Sequence, residues 1–119
     1  MQQESINKRE LLKGTLGTII LQLLKDNDRL YGYEITQLVK NRTDGQLLVK
    51  EGSLYPALHK LEADGFITSE EEFIGKRVRK YYSLTKPGKK MAQASVNELM
   101  EFMKTIQDLL IPVHYVPAK

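Results

Sequence analysis

Basic side chains are concentrated in one short stretch of the second half of the chain. Within five consecutive positions the sequence carries Lys76, Arg77, Arg79 and Lys80. Ammonium and guanidinium groups neutralise phosphates and release the counterions that surround nucleic acid. No acidic residue lies between Glu72 and Glu98, so this region is more positive than the net charge of +3 suggests. On charge alone, a nucleic-acid contact and a solvated surface hairpin explain the cluster equally well.

A second set of polar side chains lies just upstream, on a segment with helical periodicity. Leu54, Leu58 and Leu61 are spaced i, i+4, i+7, which predicts one buried helix face. The residues expected to point outward from that helix are Ser53, Tyr55, Pro56, His59 and Lys60. Their mixture of hydrogen-bonding, aromatic and cationic groups suits the DNA major groove, which admits a helix and presents base edges to it.

Local signals predict where this helix begins and ends. Ser53 is a good N-cap residue, since its hydroxyl can accept a hydrogen bond from the first turn. Pro56 would then lie in the first turn, where a missing N–H costs nothing. A start at Glu51 would place the proline deeper and risk a kink. Gly65 is expected to end the helix in the left-handed conformation.

The basic cluster falls at the tip of a predicted hairpin. Residues 66–73 form the first strand, I-G-K-R forms the turn, and residues 78–84 alternate in polarity as a returning strand. A helix followed by a hairpin with a basic tip is the order of a winged helix, namely recognition helix and then wing. Three acidic residues at the base of the wing oppose phosphate contact there, so they should face away or be solvated: Glu70, Glu71 and Glu72.

Four sequence blocks resemble the PadR family of bacterial transcriptional regulators. They are L-L-K-G-T-L at 11–16, Y-G-Y-E-I at 31–35, G-S-L-Y-P-A-L-x-x-L-E from Gly52, and G-K-R-V-R-K-Y-Y-S-L-T from Gly75. The resemblance covers roughly residues 11–88. Two departures are Ser53, where the family often has threonine, and a wing without the frequent proline between its basic residues. The resemblance implies a homodimeric DNA-binding repressor that a small aromatic or lipophilic effector releases from operator DNA.

The remaining segments must position these two sets of residues. The sequence predicts helices over 7–25 and 30–42, and residues 47–49 could add a third, minor strand to the wing. Gly14 and Gly17 lower the helix propensity of the first helix, and they would let another helix come close. Tyr31 and Tyr33 could contact phosphate through their hydroxyls, although packing alone is the simpler explanation for at least one of them.

The last predicted helix begins at the cap Thr85, has Pro87 in its first turn and runs to about Ile111. Ala92, Val96, Leu99, Met103, Ile106 and Leu110 alternate spacings of four and three, which is a heptad seam. We expect a homodimer whose interface also includes the first helix. The alternative is that the seam packs against the first helix of its own chain. The predicted interface contains Leu12, Leu16, Val96, Leu99, Met103, Ile106 and Leu110. An effector pocket at that interface would use Met100, Phe102 and Met103, although core packing is the simpler role.

Composition narrows the class of protein. The 119 residues contain 41% hydrophobic and 28% charged residues, as in a globular domain, with no cysteine and no apolar run long enough to span a membrane. His59 and His114 are the only histidines, and no Ser/His/acid set or glycine-rich phosphate loop occurs, so neither an enzyme nor a metal or cofactor site is expected. The N-terminus lacks the apolar core of a signal peptide, which favours the cytoplasm.

The predicted fold is therefore mainly α with a small β-hairpin, an α+β winged helix-turn-helix followed by a long helix. We expect a DNA-binding unit over 1–85, a dimerisation helix over 86–112 and a tail over 113–119. The partners expected are double-stranded DNA, a second copy and an effector. The alternative is a winged helix that contacts only proteins and shows no salt-sensitive DNA binding.

Overall fold

The computed structural model describes residues 6–111. Its elements are α1 (Ile6–Asp26), β1 (Leu30–Tyr31), α2 (Gly32–Arg42), α3 (Glu51–Ala63), β2 (Ile67–Ile74), β3 (Arg77–Leu84) and α4 (Lys86–Leu110). The strands form one antiparallel sheet in the order β1-β3-β2. This is the predicted α+β winged helix, with α3 followed by the wing (β2 and β3). Among the described residues, no helix has the length and apolar character needed to cross a membrane.

One core holds the helices and the base of the sheet together. Ile20 of α1, Ile35 of α2 and Leu58 of α3 are completely buried, and Tyr82 of β3 is 1% exposed. Each fully buried side chain of this kind contributes about 1.5–3 kcal/mol relative to an exposed one. The predicted inner face of α3 is confirmed, since Leu54, like Leu58, is almost fully buried. The polar face of α3 is thereby fixed toward solvent.

Helix α3 begins three residues earlier than the sequence predicts. Its N-cap is Lys50, whose carbonyl accepts from the backbone N–H groups of Ser53 and Leu54, so the prediction of a Ser53 cap is wrong. Pro56 consequently lies inside the helix. Because proline has no backbone N–H, the carbonyl of Gly52, four residues earlier, does not receive the usual helical hydrogen bond. The main-chain bonds of Lys50 start the helix without a side-chain cap.

The end of α3 follows the prediction. Gly65 has φ +83°, and its N–H donates to the carbonyl of Glu62, while the N–H of Phe66 donates to that of Leu61. These two bonds form a Schellman motif, in which glycine adopts the left-handed conformation without steric cost. The motif turns the chain directly from α3 into β2.

The hairpin is confirmed, but its third strand is not the predicted one. Gly75, with φ +62°, and Lys76 connect Ile74 to its cross-strand partner Arg77. Glycine at the first central position of a two-residue loop is typical of a type II′ turn. Residues 47–49 form no strand and pair with neither strand of the wing, although Val49 packs into the core through its side chain. Residues 30–31 pair with β3 instead, so α2 begins after them.

The start of α4 is fixed by a cap and by close packing. The Thr85 hydroxyl accepts from the N–H of Gly88 at 3.1 Å and donates to the carbonyl of Gly65 at 2.7 Å, which confirms the predicted cap. A Cβ atom at Gly88 would collide with the carbonyl oxygen of Phe66. Farther along, Lys25 of α1 donates to Gln93 of α4 at 2.7 Å. The first half of α4, residues 86–95, is therefore anchored to the rest of the chain.

Candidate nucleic-acid interface

The outer face of α3 presents the polar side chains that the sequence predicts there. The exposed residues are Ser53, Tyr55, Pro56, His59 and Lys60. The Lys60 ammonium lies 3.2 Å from the carboxylate of Asp64 one turn later, so it is partly compensated. The Tyr55 hydroxyl is so close to Gly32 that a Cβ there would lie 2.6 Å from it. Tyr55 therefore also supports the approach of α3 to the start of α2.

Charge is distributed unequally along the wing. In the middle of the wing, the strand register places Glu71 opposite Lys80 and Glu72 opposite Arg79, so these glutamates do not lie at the base where the sequence placed them. Glu72 is further engaged by Arg29, whose Nη1 lies 2.7 Å from Glu72 Oε2. At the turn the exposed charged side chains are Lys76 and Arg77. Acid and base thus balance in the middle of the wing, while the turn carries positive charge.

An alternating set of arginine and tyrosine side chains covers one face of the sheet. The guanidinium of Arg29 lies 3.9 Å from the centre of the Tyr81 ring, and that of Arg79 lies 4.4 Å from the centre of the Tyr31 ring. The two rings meet edge to face with their centres 5.4 Å apart. Guanidinium groups are attracted to the faces of aromatic rings, and rings that meet edge to face also attract each other. These contacts orient the wing relative to β1 and the start of α2.

Both arginines of this set are charged at physiological pH, as guanidinium groups in proteins always are. A hydrogen bond with Glu72 raises the pKa of Arg29 further above its ordinary value, and one with Tyr81 does the same for Arg79. Their planar donor arrangement matches the oxygens of phosphate.

An open groove connects the start of α2 with the wing. It has a volume of about 520 Å³, and its lining residues are Tyr31, Tyr33, Arg77, Val78 and Arg79. Tyr33 is 64% exposed, so its hydroxyl is available to a ligand. Guanidinium and phenol donors directed into one groove are the donors that protein–DNA complexes use to hold the phosphate backbone. The groove thus brings the start of α2 and the wing together around one set of donors.

Comparison with known proteins identifies the family. A model of the "Transcriptional regulator PadR-like family" matches residues 20–94. The chain belongs to the PadR-like family. Because this family consists of transcriptional regulators, the prediction that the chain is not an enzyme is confirmed.

Relatives of this PadR-like chain match most of its length. An uncharacterised protein of Lysinibacillus sphaericus is 37% identical over 87% of this chain and 94% of its own. The transcriptional regulator Rv3488 of Mycobacterium tuberculosis is 35% identical over 68% of this chain and 72% of its own.

Solved structures agree with the winged-helix fold. A transcriptional regulator of Clostridium thermocellum has a TM-score of 0.77 and 33% identity, covering 83% of this chain and 96% of that one. The PadR protein of Bacillus subtilis in complex with operator DNA has a TM-score of 0.60 and 30% identity. That comparison covers 87% of this chain but 51% of the Bacillus chain.

Sequence reasoning missed Arg29 as part of the site. This residue pairs with Glu72 and stacks on Tyr81, yet it precedes β1 and belongs to none of the basic clusters. A weak signal was present, because Arg29 and Tyr31 flank the buried Leu30 and would share one face of an extended segment. The structure also brings Tyr33 into the groove with Arg77, far from it in sequence.

The residues predicted for a dimer interface fall into three environments. Leu16 is 2% exposed in the core of its own chain, so it has almost no surface left for a second copy. Leu12, Val96, Leu99 and Ile106 are half-buried. Met103 and Leu110 are 53% and 71% exposed. The second half of α4, residues 96–110, therefore carries apolar surface that the described residues 6–111 leave uncovered.

The residues predicted to hold an effector also lie on that half of α4. Met100, Phe102 and Met103 are 56%, 61% and 53% exposed. Met100 and Met103 share a shallow surface depression with polar neighbours, and Phe102 is not among its lining residues. Within one chain, residues 6–111 thus bring Met100 and Met103 together but not Phe102.

Proposed function

We propose that this PadR-like chain is a sequence-specific, DNA-binding regulator of transcription that acts as a homodimer. The observation that carries the proposal is the groove between Tyr33 and Arg77, because it joins the helix-turn-helix to the wing in one donor-rich surface. In this proposal α3 enters the major groove and the wing contacts phosphate or the minor groove. The proposed DNA contacts are Ser53, Tyr55, Pro56, His59, Lys60, Lys76, Arg77, Arg79 and Lys80.

The relative from Bacillus subtilis supports the assignment of DNA as the partner. That PadR protein was crystallised with operator DNA, and it shares 30% identity with this chain over the winged helix and beyond. The surface described above has the composition that such a partner requires. Its outer helix face is exposed, and its wing turn carries cations without a cross-strand carboxylate.

The proposed dimer forms through the second half of α4. The uncovered apolar surface there includes Met103 and Leu110, and half-buried Val96, Leu99 and Ile106 continue the same seam. Leu12 of α1 is the proposed contact outside α4. Burying such surface between two helices gains about 25 cal/mol for each Å² removed from water. The division that we propose is a DNA-binding unit (1–85), a dimerisation helix (86–112) and a tail (113–119), of which residues 1–5 and 112–119 lie outside the described part of the chain.

The regulation we propose is repression that a small aromatic or lipophilic effector relieves in the cytoplasm. Met100, Phe102 and Met103 are the proposed effector contacts, since methionine side chains adapt to irregular apolar ligands. Two copies of α4 would have to meet before these side chains enclosed a pocket. The effector site therefore depends on the proposed dimer.

Footprinting on DNA from immediately upstream of the gene tests the proposal. A two-fold dimer should protect two half-sites of an imperfect palindrome, with centres about 34 Å or a multiple of that distance apart. Binding should weaken steeply as salt is raised, and random DNA of equal length is the control. Absence of salt-sensitive binding to any DNA would instead favour a winged helix that contacts only proteins.

A further inference from the structure

The far end of the wing exposes large apolar side chains beside its cations. Phe73 is 74% exposed, Val78 is 49% exposed and Ile74 is 42% exposed. Phe73 and Val78 are directly opposite each other across the two strands. Residues 73–78, including the turn, are called the wing tip below. Its composition combines an apolar pair with Lys76 and Arg77.

The apolar pair continues the core face of the sheet beyond the core. Side chains alternate along a strand, so Val78 lies on the same face as Tyr82, and Phe73 lies on the same face as Ile67. Tyr82 and Ile67 are 1% and 2% exposed. Val78 is four residues from Tyr82, or roughly 13 Å along the strand. Within residues 6–111 no other element reaches far enough to cover the pair.

The surroundings of the pair indicate the chemistry of a partner. Val78 lies between Arg77 and Arg79 on β3 with its side chain on the opposite face, and it is among the residues that line the groove, so the pair adjoins the proposed DNA interface. The nearest acidic residue in sequence, Glu72, already pairs with Arg29. Cations are drawn into a narrow minor groove by its negative potential. Apolar side chains such as phenylalanine and isoleucine can then unstack a base step and kink the duplex.

We propose that Phe73, supported by Val78, is an apolar wedge that enters the DNA minor groove and bends the operator. This inference rests on the proposed DNA-binding function and adds a residue to which that function assigns no role. Lys76 and Arg77 hold the adjacent phosphates, and the phenyl ring inserts between bases. The deformed step then contributes to sequence preference, because flexible pyrimidine–purine steps deform more easily than others.

Bending is measured by energy transfer between dyes at the two ends of a duplex that carries the footprinted site. Wild-type protein should bend the duplex by at least about 20°. Phe73→Ser should abolish most of the bend and weaken operator binding about tenfold, without changing the slope of log affinity against log salt. The fold should tolerate this change, because Phe73 is mostly exposed. Phe73→Leu keeps an apolar wedge and should retain the bend.

The outcomes separate this inference from the proposed function. An unchanged bend and affinity in Phe73→Ser, or a straight wild-type complex, overturns the wedge and leaves DNA binding intact. Loss of self-association in Phe73→Ser with normal DNA bending would assign the tip to a protein contact and also overturn it. If wild-type protein binds no DNA in a salt-sensitive manner, the proposed function itself fails.

2-Aminopurine placed at the wing-facing base step gives a second measurement. Its fluorescence should rise when wild-type protein or Phe73→Leu binds, because an unstacked base is less quenched, and Phe73→Ser should give no rise. An equal rise with all three proteins would contradict insertion of the ring at that step.

Discussion

The wing and α4 both begin in the core and both leave it, but their free ends differ in composition. The base of the wing is held by Ile67 and Tyr82, and the start of α4 is held by Gly88 and Ala92. Beyond those anchors the wing turn carries Lys76 and Arg77 beside exposed Phe73 and Val78, whereas α4 carries methionine, phenylalanine and leucine. The cations suit the free end of the wing to phosphate, whereas the free end of α4 is suited to a second apolar surface.

Because the two free ends differ in composition, DNA binding and self-association should respond differently to salt. Contacts with phosphate release counterions, so binding through the wing should weaken strongly with salt. Association through apolar surface is proportional to area and is little affected by salt. Four predictions test this contrast, beginning with the largest expected effect.

The free end of α4 is tested by placing a charge in the seam. Met103→Glu should weaken the proposed dimer by on the order of 3 kcal/mol, or more than 100-fold in its dissociation constant, because the carboxylate would be buried without a partner. Sedimentation velocity over a range of concentrations measures the change. Asn97→Glu, which adds the same charge at an exposed polar position, is the control. A dimer that is equally stable in both variants would rule out this seam.

The anchored start of α4 is tested at Gly88. Gly88→Ala should lower the free energy of unfolding by about 1–3 kcal/mol, because the added methyl group collides with the Phe66 carbonyl. Urea denaturation gives the value. Gly17→Ala is the matched control, since a Cβ there meets no atom within 4 Å among residues 6–111. That variant should gain about 0.5–1 kcal/mol from helix propensity, and a loss instead would indicate that a second helix packs closely on α1.

The anchored base of the wing is tested by alkaline titration. Burial raises the pKa of the Tyr82 phenol, and the charge of Glu62 raises it further. The neutral phenol is thus favoured in the folded chain, so the folded pKa lies above the unfolded value of about 10. The contribution of Tyr82 to the free energy of unfolding should be constant below that pH and should fall as pH rises through the folded pKa. Tyr82→Phe should show a smaller fall, and identical pH dependence in the two proteins would contradict this account.

Much of the fold could be predicted because its signals are local. The leucine spacing of α3, the alternation of β3, the Gly65 termination and the Thr85 cap each depend on a few neighbouring residues. The errors arose where tertiary contacts decide. A two-residue strand such as β1 has no pattern of its own and forms because β3 offers it hydrogen bonds. The early start of α3 likewise depends on the Lys50 main chain rather than on a capping side chain.

The sequence predicted which groups of neighbouring residues form the candidate site, but not which distant residues contact each other there. The outward residues of α3 and the basic wing follow from spacing and charge. The contacts that build the site join residues about forty to fifty positions apart. They are the cation–π contacts of Arg29 and Arg79, and the shared groove of Tyr33 and Arg77. Such pairs are set by the strand register, which a single sequence determines only weakly.

The salt dependence of DNA binding by Arg77→Ala tests the central claim most directly. Affinity for operator and for random DNA is measured at several salt concentrations for this variant and for wild type. Arg42→Ala is the charge-matched control, because Arg42 lies at the other end of α2 and pairs with Asp26. His59→Ala is the contrast on α3 and should lose about 1–3 kcal/mol more on operator than on random DNA if it removes a base contact.

The account predicts that Arg77→Ala weakens binding to both DNAs and lowers the slope of log affinity against log salt. The reduction should be about 0.9 for one lost phosphate contact and about 1.8 for the two wings of a dimer, with no change in Arg42→Ala. A slope in Arg77→Ala equal to that of wild type would contradict the claim that the wing holds the DNA backbone.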